Sequence, residues 1–423
     1  MRLTQKIKVL IVVVVSLFFS LSIAEAGVSG GFIESAGSFK FGDDKAEKND
    51  TNLLELRAQL RYRAYPEILE EYSGEAFIKF EVLADGYDES VSPIVREGWL
   101  SLSPVDFMDI KAGRQIVTWG TGDMLFVNDL FPKDYLSFFI GRDDEYLKLP
   151  IDGLKVSLFG EKLSTDIIVM PVFTPNNSLI GERLSIFDPI SGRIAGEELD
   201  RFYETPPKTP RNLVTAIRVS RSYRGVESAL YFYDGFYGEP KGIIDPLRER
   251  FFYPRLRSYG ASLRGALFGG IANIEGAYYD SRDDSDGSNA SVENSSMRVL
   301  AGFERELPRN IGLGLQYMVD KLLDYGAYKR NLDPTAKARD EFRSLLTVRL
   351  TKLLMADTLR LSLFNFYSPT DSDDYLRISA AYDIDDNIKA TLGGNFFTGK
   401  YDHTEFGQLE GNDNLYLRVR YSF

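Results

Sequence analysis

The chain has 423 residues, of which 44% are hydrophobic and 13% aromatic, with no cysteine, one histidine and a formal net charge of −12. The lack of cysteine excludes disulfide frameworks, thiolate nucleophiles and cysteine-ligated metals, and 24 tyrosines with 29 phenylalanines exclude a disordered chain. The acidic balance argues against a nucleic-acid partner, because neutralising phosphates requires surplus lysine and arginine.

The first residues have the pattern of an export signal. Arg2, Lys6 and Lys8 precede an apolar run over 9–24, and residues 24–26 (Ala-Glu-Ala) match a small-x-small cleavage site. We therefore predict a signal peptide over residues 1–26, with an uncleaved membrane anchor as the alternative, and one domain over 27–423. No later apolar run reaches about 18 residues, so no further membrane-spanning helix is expected.

The rest of the chain alternates between apolar and polar residues. Across 54–64 every even position is apolar or tyrosine and every odd position is polar or charged, and similar runs recur at 258–267, 297–304 and 342–350. Only a strand separates two such sets onto two faces. Runs of about nine to eleven residues suit tilted strands that cross a bilayer, whereas strands of soluble sheets are more often about five or six. The predicted fold class is all-β, a transmembrane antiparallel β-barrel.

The connections alternate between short and long, which predicts short periplasmic turns on one rim and long extracellular loops on the other. The short connections are 66–73, 103–106, 160–164, 222–225, 268–270, 307–310, 352–357 and 383–387. The long ones are 43–52, 85–93, 118–152, 174–210, 236–256, 281–294, 321–340, 368–373 and 399–412. Together they predict 18 strands. Sixteen is the alternative, because 94–102 and 226–234 alternate poorly.

The last strand carries a further signal. Positions 415, 417, 419, 421 and 423 are all apolar or aromatic, and Phe423 is the final residue. This resembles the C-terminal strand that outer-membrane β-barrel proteins present to the barrel-assembly machinery, so Tyr421 and Phe423 are the predicted assembly signal. The strand should close the barrel against a first strand near 32–41. The expected location is the cell outer membrane, in contact with its lipid and lipopolysaccharide.

The polar face of each strand should line the lumen. On the strands with clear alternation this face carries four carboxylates, Glu55, Glu75, Glu81 and Glu304. The predicted pore-lining basic residues are Arg57, Arg61, Arg63, Lys79, Arg218, Arg264, Arg298, Arg343, Arg349, Arg360, Arg377, Lys389, Arg418 and Arg420. Such a surplus predicts an Arg-lined lumen that attracts anions. The alternative is that carboxylates of loops folded inward neutralise these side chains.

The two longest connections, 118–152 and 174–210, are expected to be functional, either as a constriction in the lumen or as an extracellular cap. A motif precedes and opens the first: Gly113, Arg114, Gln115, Trp119 and Gly120, then Asn128, Asp129, Pro132, Asp134 and Tyr135. It resembles a motif of Gram-negative outer-membrane porin-like barrels and, more loosely, of alginate-export-type barrels. The resemblance covers only about residues 113–135. It implies an outer-membrane channel and does not extend to a substrate.

The leading functional hypothesis is a porin-like outer-membrane channel for passive diffusion of small polar or anionic solutes. Three alternatives stay open: the outer-membrane partner of an exporter or polymer-secretion system, a channel for hydrophobic substrates that uses inward Phe77, Phe364 and Phe366, and a surface receptor or adhesin on a barrel scaffold. A TonB-coupled transporter is disfavoured, because alternation begins by Phe32 and leaves no room for a plug.

No catalytic residue, metal or cofactor is predicted. His403 is the single histidine and falls in a loop, which is insufficient for a nucleophile–base pair. The acidic residues of 280–286 lack the spacing and the bidentate glutamate of a calcium loop.

Overall fold

The structure is a computed structural model that describes residues 27–42, 50–197, 199–334 and 336–423. The predicted signal peptide, residues 1–26, lies outside the described residues, as does most of the predicted connection 43–52. None of the described helices is long and apolar enough to cross a membrane.

Eighteen antiparallel strands form the barrel wall. In chain order they are β1 (Gly27–Lys40), β2 (Leu54–Ala64), β3 (Glu75–Asp85), β4 (Ser90–Val105), β5 (Met108–Gln115), β6 (Ile151–Phe159), β7 (Ser164–Met170), β11 (Val214–Tyr223), β12 (Val226–Phe236), β15 (Arg255–Leu267), β16 (Gly270–Ser281), β17 (Ser296–Leu307), β18 (Ile311–Leu322), β19 (Phe342–Leu354), β20 (Leu359–Ser368), β21 (Asp373–Asp383), β22 (Ile388–Gly399) and β23 (Asn414–Ser422). The prediction of 18 strands is confirmed, and the two poorly alternating segments are the strands β4 and β12.

Each wall strand pairs with the wall strand that follows it in the chain, and β23 pairs with β1. The closing register runs from Phe32 opposite Ser422 to Lys40 opposite Asn414. This is the closure expected from the sequence, and it leaves no open sheet edge. Closure satisfies the backbone polar groups of both outermost strands, which hydrocarbon could not do.

The connections fall into two rims, which we call the short-turn rim and the long-loop rim. Three of the short turns, 106–107, 224–225 and 268–269, have only two residues, and the last two share one conformation. Both central residues have positive φ: +50° for Arg224 and +81° for Gly225, then +50° for Phe268 and +71° for Gly269. Such turns match the right-handed twist of paired strands. The predicted long loops that fall within the described residues lie on the opposite rim.

The long loops carry small elements of their own. They include the strands β8 (Ile186–Asp188), β9 (Arg193–Ala195), β10 (Phe202–Glu204), β13 (Gly242–Asp245) and β14 (Arg250–Phe252), and the helices α1 (Tyr135–Ile140) and α2 (Tyr325–Asn331). Single turns of 3-10 helix occur at Glu67–Tyr72, Asp144–Leu147, Pro210–Asn212, Pro246–Arg248 and Gly407–Asn412. Among them, Glu67–Tyr72 lies in a short turn. These elements hold the loops in defined positions.

The two faces of the wall differ as predicted. On β2, outward Leu54 is 51% exposed whereas inward Arg57 is 4% exposed. The main buried cluster lies inside the barrel and combines loop residues such as Val127 and Ile140 with wall residues such as Tyr279 and Tyr375. The lumen is therefore largely filled by protein.

Candidate functional site

The connection between β5 and β6, residues 116–150, crosses the lumen, and we call it the inward loop. Near its start, the backbone N–H groups of Thr121 and Gly122 donate to the carboxylate of Glu275 on β16. Farther along, the rings of Phe138 and Phe139 meet Tyr375 of β21 edge-on, with centroid distances of 5.6 and 5.3 Å. Four wall strands lie between β16 and β21. The structure therefore favours the constriction over the extracellular cap.

Glu275 anchors the first part of the inward loop. Its carboxylate is almost fully buried and accepts the N–H of Gly122 at 2.8 Å and the side-chain amide of Asn128 at 3.1 Å, in addition to the N–H of Thr121. Gly120 has a φ of +81°, and a Cβ there would lie 3.0 Å from Glu275 Oε1. Successive N–H groups that point at one oxygen form an anion-binding turn. The positive φ and the close approach to Glu275 explain why the residue after Trp119 is a glycine.

Other motif residues shape the rest of the inward loop. The Trp119 ring meets the Phe131 ring at 5.0 Å, nearly perpendicular, and the N–H of Leu149 donates to the Pro132 carbonyl at 3.0 Å. The latter contact ties the end of the loop to its middle.

A buried charge pair stabilises the middle of the inward loop. Asp129 lies 3.0 Å from the Lys133 ammonium and accepts a hydrogen bond from the Thr118 hydroxyl at 2.8 Å. Asp134 caps α1 by accepting the N–H of Ser137 at 2.8 Å. The motif residues thus act as folding determinants of the loop.

The Gly-Arg-Gln part of the motif lies in β5, where the inward loop begins. Gly113 has a φ of +125°, and a Cβ there would lie 2.3 Å from the Gly98 carbonyl oxygen, so another residue would be strained. Arg114 contacts both carboxylate oxygens of Asp152, at 2.8 and 2.6 Å. The buried Gln115 amide donates to the Gly153 carbonyl at 3.2 Å. These contacts fasten β5 to β4 and β6.

Three of the predicted pore-lining arginines pair with three consecutive carboxylates of the inward loop. The pairs are Arg377 with Asp144 at 2.6 Å, Arg418 with Asp143 at 2.8 Å and Arg420 with Glu145 at 2.9 Å. For Asp143, burial favours the neutral form, but the positive charges of Arg418 and Arg420 outweigh burial and lower its pKa. The inward loop is therefore held to β21 and β23 by charge.

A second group of charges is buried between β2, β3 and the inward loop. Arg57 lies 2.6 Å from Glu81 and 3.3 Å from Glu55, and its guanidinium stacks 4.0 Å from the centre of the Tyr146 ring. Arg142 of the inward loop also pairs with Glu55. Because all these groups are shielded from solvent, the network holds the loop and is inaccessible to a solute.

Most of the other predicted pore-lining residues also have carboxylate partners. They are Arg63 with Glu75 (2.9 Å), Lys79 with Glu97 (3.0 Å), Arg218 with Asp166 (3.8 Å) and Glu227, Arg264 with Glu304 (2.7 Å), Arg298 with Asp320 (2.9 Å), Arg343 with Asp371 (2.5 Å) and Glu405 (2.6 Å), Arg349 with Asp123 (2.6 Å), and Lys389 with Asp383 (3.2 Å). Within the described ranges, Arg61 and Arg360 form no ion pair with Asp or Glu.

The four inward carboxylates counted on the clearly alternating strands are only part of the negative charge in the lumen. Carboxylates on other strands, such as Asp166 and Asp320, face the lumen, and so do loop residues such as Asp123 and Asp371. Alternation on clear strands could not reveal loop residues, because their position depends on how the loops fold. The pattern matches the alternative in which loop carboxylates neutralise the lumen.

Two of the larger cavities in the described part of the barrel lie on opposite sides of the inward loop. The cavity toward the long-loop rim measures about 640 Å³, and its lining includes Arg298, Arg343, Phe138 and Phe366. The cavity toward the short-turn rim measures about 320 Å³, and its lining includes Arg264, Glu304, Lys148, Asp123 and Arg349. Phe126 of the inward loop lines both cavities. The Phe126 ring therefore lies between the two cavities.

The second long connection, 171–213, closes part of the long-loop rim. Its buried Arg183 lies 2.5 Å from Asp85 at the end of β3. Ser185 and Asn412 exchange hydrogen bonds at 3.1 and 3.0 Å, which ties the connection to the loop before β23. It contacts the inward loop where the N–H of Tyr135 donates to the Asn177 carbonyl at 3.0 Å. This connection therefore packs over the inward loop.

His403 and the acidic residues of 280–286 have local roles. His403 Nδ1 lies 3.3 Å from the Lys337 ammonium; burial and this positive charge lower the histidine pKa. Carboxylates of Asp284 and Asp286 accept the N–H of Ser288 at 3.0 and 3.1 Å. In the part of the chain that the structure describes, no group of three His, Cys, Asp or Glu side chains could hold a metal ion.

Solved structures with similar folds include OccD3 (OpdP) of Pseudomonas aeruginosa, 11% identical, covering 95% of this chain and 92% of that chain, with a TM-score of 0.56. OccAB4 of Acinetobacter baumannii is 11% identical, with coverage of 95% and 98% and a TM-score of 0.54. OccK11 (OpdR) of Pseudomonas aeruginosa is 8% identical, with coverage of 94% and 96% and a TM-score of 0.54. No family model and no curated protein matches the sequence. The resemblance is confirmed at the level of the fold, while the likeness to alginate-export-type barrels stays a prediction.

Proposed function

We propose that the protein is a passive channel of the outer membrane for small polar solutes, including anions. The observation that carries the proposal is the pair of cavities that flank the inward loop and share Phe126 in their linings. A lumen filled only for stability would not need open space on both sides of the inward loop.

The outward face supports placement in a lipid bilayer. Its large apolar side chains are exposed along the wall, as at Leu230, Leu263, Ile274 and Leu417. Exposed apolar surface on this scale is costly in water and favourable in hydrocarbon. Export through a signal peptide over 1–26 and recognition of Tyr421 and Phe423 by the barrel-assembly machinery belong to the same proposal.

The constriction favours small solutes of low net charge. The Phe126 ring lies 4.6 Å from the Lys133 ammonium, and the Arg349–Asp123 pair lines the adjoining cavity. Fixed charges of both signs stand side by side there, so the field of each largely cancels that of the other. Arg61 and Arg360 add positive charge without a carboxylate partner among the described residues. We therefore expect a weak preference for anions.

The other hypotheses have less support. Of the phenylalanines that favoured a hydrophobic-substrate channel, Phe364 is buried and Phe77 stacks on Trp99. Phe366 lines the larger cavity but packs against Phe138 and Phe406. An inward loop held by buried charges opposes the passage of a polymer, which weighs against the exporter hypothesis.

Planar-bilayer recording of the purified protein tests the proposal. We expect ion conductance with a slightly anion-selective reversal potential. Phe126→Ala should raise the single-channel conductance and Phe126→Trp should lower it, because the ring stands between the two cavities. Phe268→Ala, in an exposed turn, is the matched control and should behave as wild type. Absence of conductance in the folded wild-type protein and in Phe126→Ala would overturn the proposal.

A further inference from the structure

A groove of about 540 Å³ lies on the wall across β11, β12, β15 and β16. Its floor consists of Ser228, Ala261 and Gly276, and larger apolar residues rise around it: Val219, Leu230, Leu263, Ile274 and Val299. Leu230, Leu263, Ile274 and Val299 are among the exposed apolar residues of the outward face. The groove therefore opens on the side that faces lipid, away from the lumen.

The strand register produces this shape. Arg221 lies opposite Ser228, Leu230 opposite Ala261, and Ala261 opposite Gly276. The small residues thus run obliquely across neighbouring strands, starting beside Arg221 near the short-turn rim. An added Cβ at Gly276 would find its nearest heavy atom 3.8 Å away, the Arg298 carbonyl oxygen. Barrel packing therefore does not require a glycine there, and the space in front of it is open.

Two arginines mark the end of the groove at the short-turn rim. Arg221 lines the groove and Arg224 lies in the turn that follows, and each guanidinium is 5.2 Å from the centre of the Tyr223 ring. Both side chains are exposed. Neither forms an ion pair with any Asp or Glu that the structure describes, whereas most inward arginines do. Two neighbouring guanidiniums without carboxylates suit a phosphate, which accepts several charge-assisted hydrogen bonds.

We propose that this groove binds one glycerophospholipid of the leaflet at the short-turn rim. An acyl chain lies along Ser228, Ala261 and Gly276, and the headgroup phosphate contacts Arg221 and Arg224. The volume is that of a typical small-ligand site, and juxtamembrane arginines attract anionic lipid. A second copy of this chain suits the groove less well, because the two arginines would need carboxylates across the interface. The inference rests on the membrane placement proposed above and not on conduction.

Native mass spectrometry of the full chain in detergent, titrated with phosphatidylglycerol, tests the proposal. We expect one tightly retained lipid per wild-type barrel. The double variant Arg221→Ala/Arg224→Ala should weaken retention roughly tenfold or more, because two cationic contacts are lost. Gly276→Leu should weaken it as well by filling the groove. Arg305→Ala removes another exposed arginine near the same rim and should retain the lipid as wild type does.

The folded state of every variant is checked by heat-modifiable migration on a gel. Retention unchanged in both the double variant and Gly276→Leu would overturn the proposal, as would equal retention of a diacylglycerol that lacks the phosphate. If Gly276→Leu altered the oligomeric state while lipid retention stayed the same, the groove would be an interface between copies of the chain. Conductance is recorded on the same preparations, so a non-conducting barrel that retains lipid would contradict only the channel proposal.

Discussion

Asp143 of the inward loop lies 2.8 Å from Arg418 of β23, the strand that closes the barrel against β1. The two residues are 275 positions apart in the chain. Through this contact, the inward loop is fastened to the strand pair β1–β23 that closes the barrel. The position of the loop and the closure of the barrel are therefore stabilised together.

Neighbouring positions on β23 are expected to respond in opposite ways. Val419 is 41% exposed on the outward face, and Arg418 is 7% exposed on the inward face. Val419→Asp should impair assembly, because a charge facing lipid is costly, although less so than the roughly 2–4 kcal/mol of Arg or Lys at the midplane. Arg418→Ala should assemble and shift selectivity toward cations, because Asp143 loses its nearest partner. Heat-modifiable migration on a gel measures assembly, and reversal potentials measure selectivity. If Val419→Asp assembled and Arg418→Ala did not, the assignment of Val419 to the outward face and Arg418 to the inward face would be wrong.

Replacement of Glu275 by alanine should release the start of the inward loop. The carboxylate accepts two backbone N–H groups and the Asn128 amide, and hydrogen bonds to charged groups contribute about 1.5–3 kcal/mol each. We expect larger and noisier single-channel conductance in a barrel that still folds. Glu161→Ala removes an exposed carboxylate of the short turn 160–163 and serves as control. Identical conductance in both variants would show that Glu275 does not hold the loop.

The buried network around Arg57 should be far more sensitive than an exposed ion pair. Arg57→Ala leaves Glu55 and Glu81 buried with less compensation, and breaking a buried pair typically costs about 3–5 kcal/mol. Arg264→Ala breaks an exposed pair and should cost at most about 1 kcal/mol. Unfolding of both variants in denaturant, followed by tryptophan fluorescence, measures the difference. Equal midpoints would contradict the assignment of Arg57 to the folded core of the lumen.

Low pH should loosen a contact between two long loops. Glu293 of 282–295 lies 2.7 Å from Arg339 of 323–341. Burial raises the pKa of Glu293, but the charges of Arg339 and Lys241 outweigh burial and lower the pKa from 4.5 to about 2. A lowered carboxylate pKa contributes stability above pH 4.5, and this stability is lost as the pH falls toward about 2.

Pepsin cleavage within 323–341 at graded pH measures this loss. We expect protection at pH 4.5 and increasing cleavage toward pH 2 in the wild type. Glu293→Gln has no carboxylate to titrate and should be cleaved similarly across that range. If the two proteins gave the same pH profile, Glu293 would not be the titrating group.

The wall was predictable because its pattern is local. Each strand reports its own two faces, as 54–64 does, and each short turn is encoded by a few residues such as Arg224 and Gly225. The strand β12 alternated poorly for a physical reason. Its inward Tyr231 and Tyr233 are buried, and the centre of the Tyr231 ring lies 6.1 Å from that of Trp119 in the inward loop. This part of the lumen is filled by side chains, so the inward face of β12 carries aromatic residues where a solvated face would carry polar ones.

The site was less predictable because its contacts are not local. Asp144 and Arg377 are 233 positions apart, and nothing near either residue in the sequence indicates the other. The length of the connection 118–152 predicted a functional segment, either a constriction in the lumen or an extracellular cap. It could not identify Glu275 as the group that this segment binds, because that depends on the path of the loop.

The pairing of β1 with β23 also constrains the order of events during folding. Gly31 and Phe423 exchange two backbone hydrogen bonds, each of 3.0 Å. Neither bond can form until both end strands have reached the assembling barrel, so β1 and β23 each keep one unpaired edge until the ring closes. Contacts of such large sequence separation are slow to form. An unpaired strand edge can pair with another chain. The interval before β1 and β23 pair is therefore the period in which this protein is most exposed to aggregation.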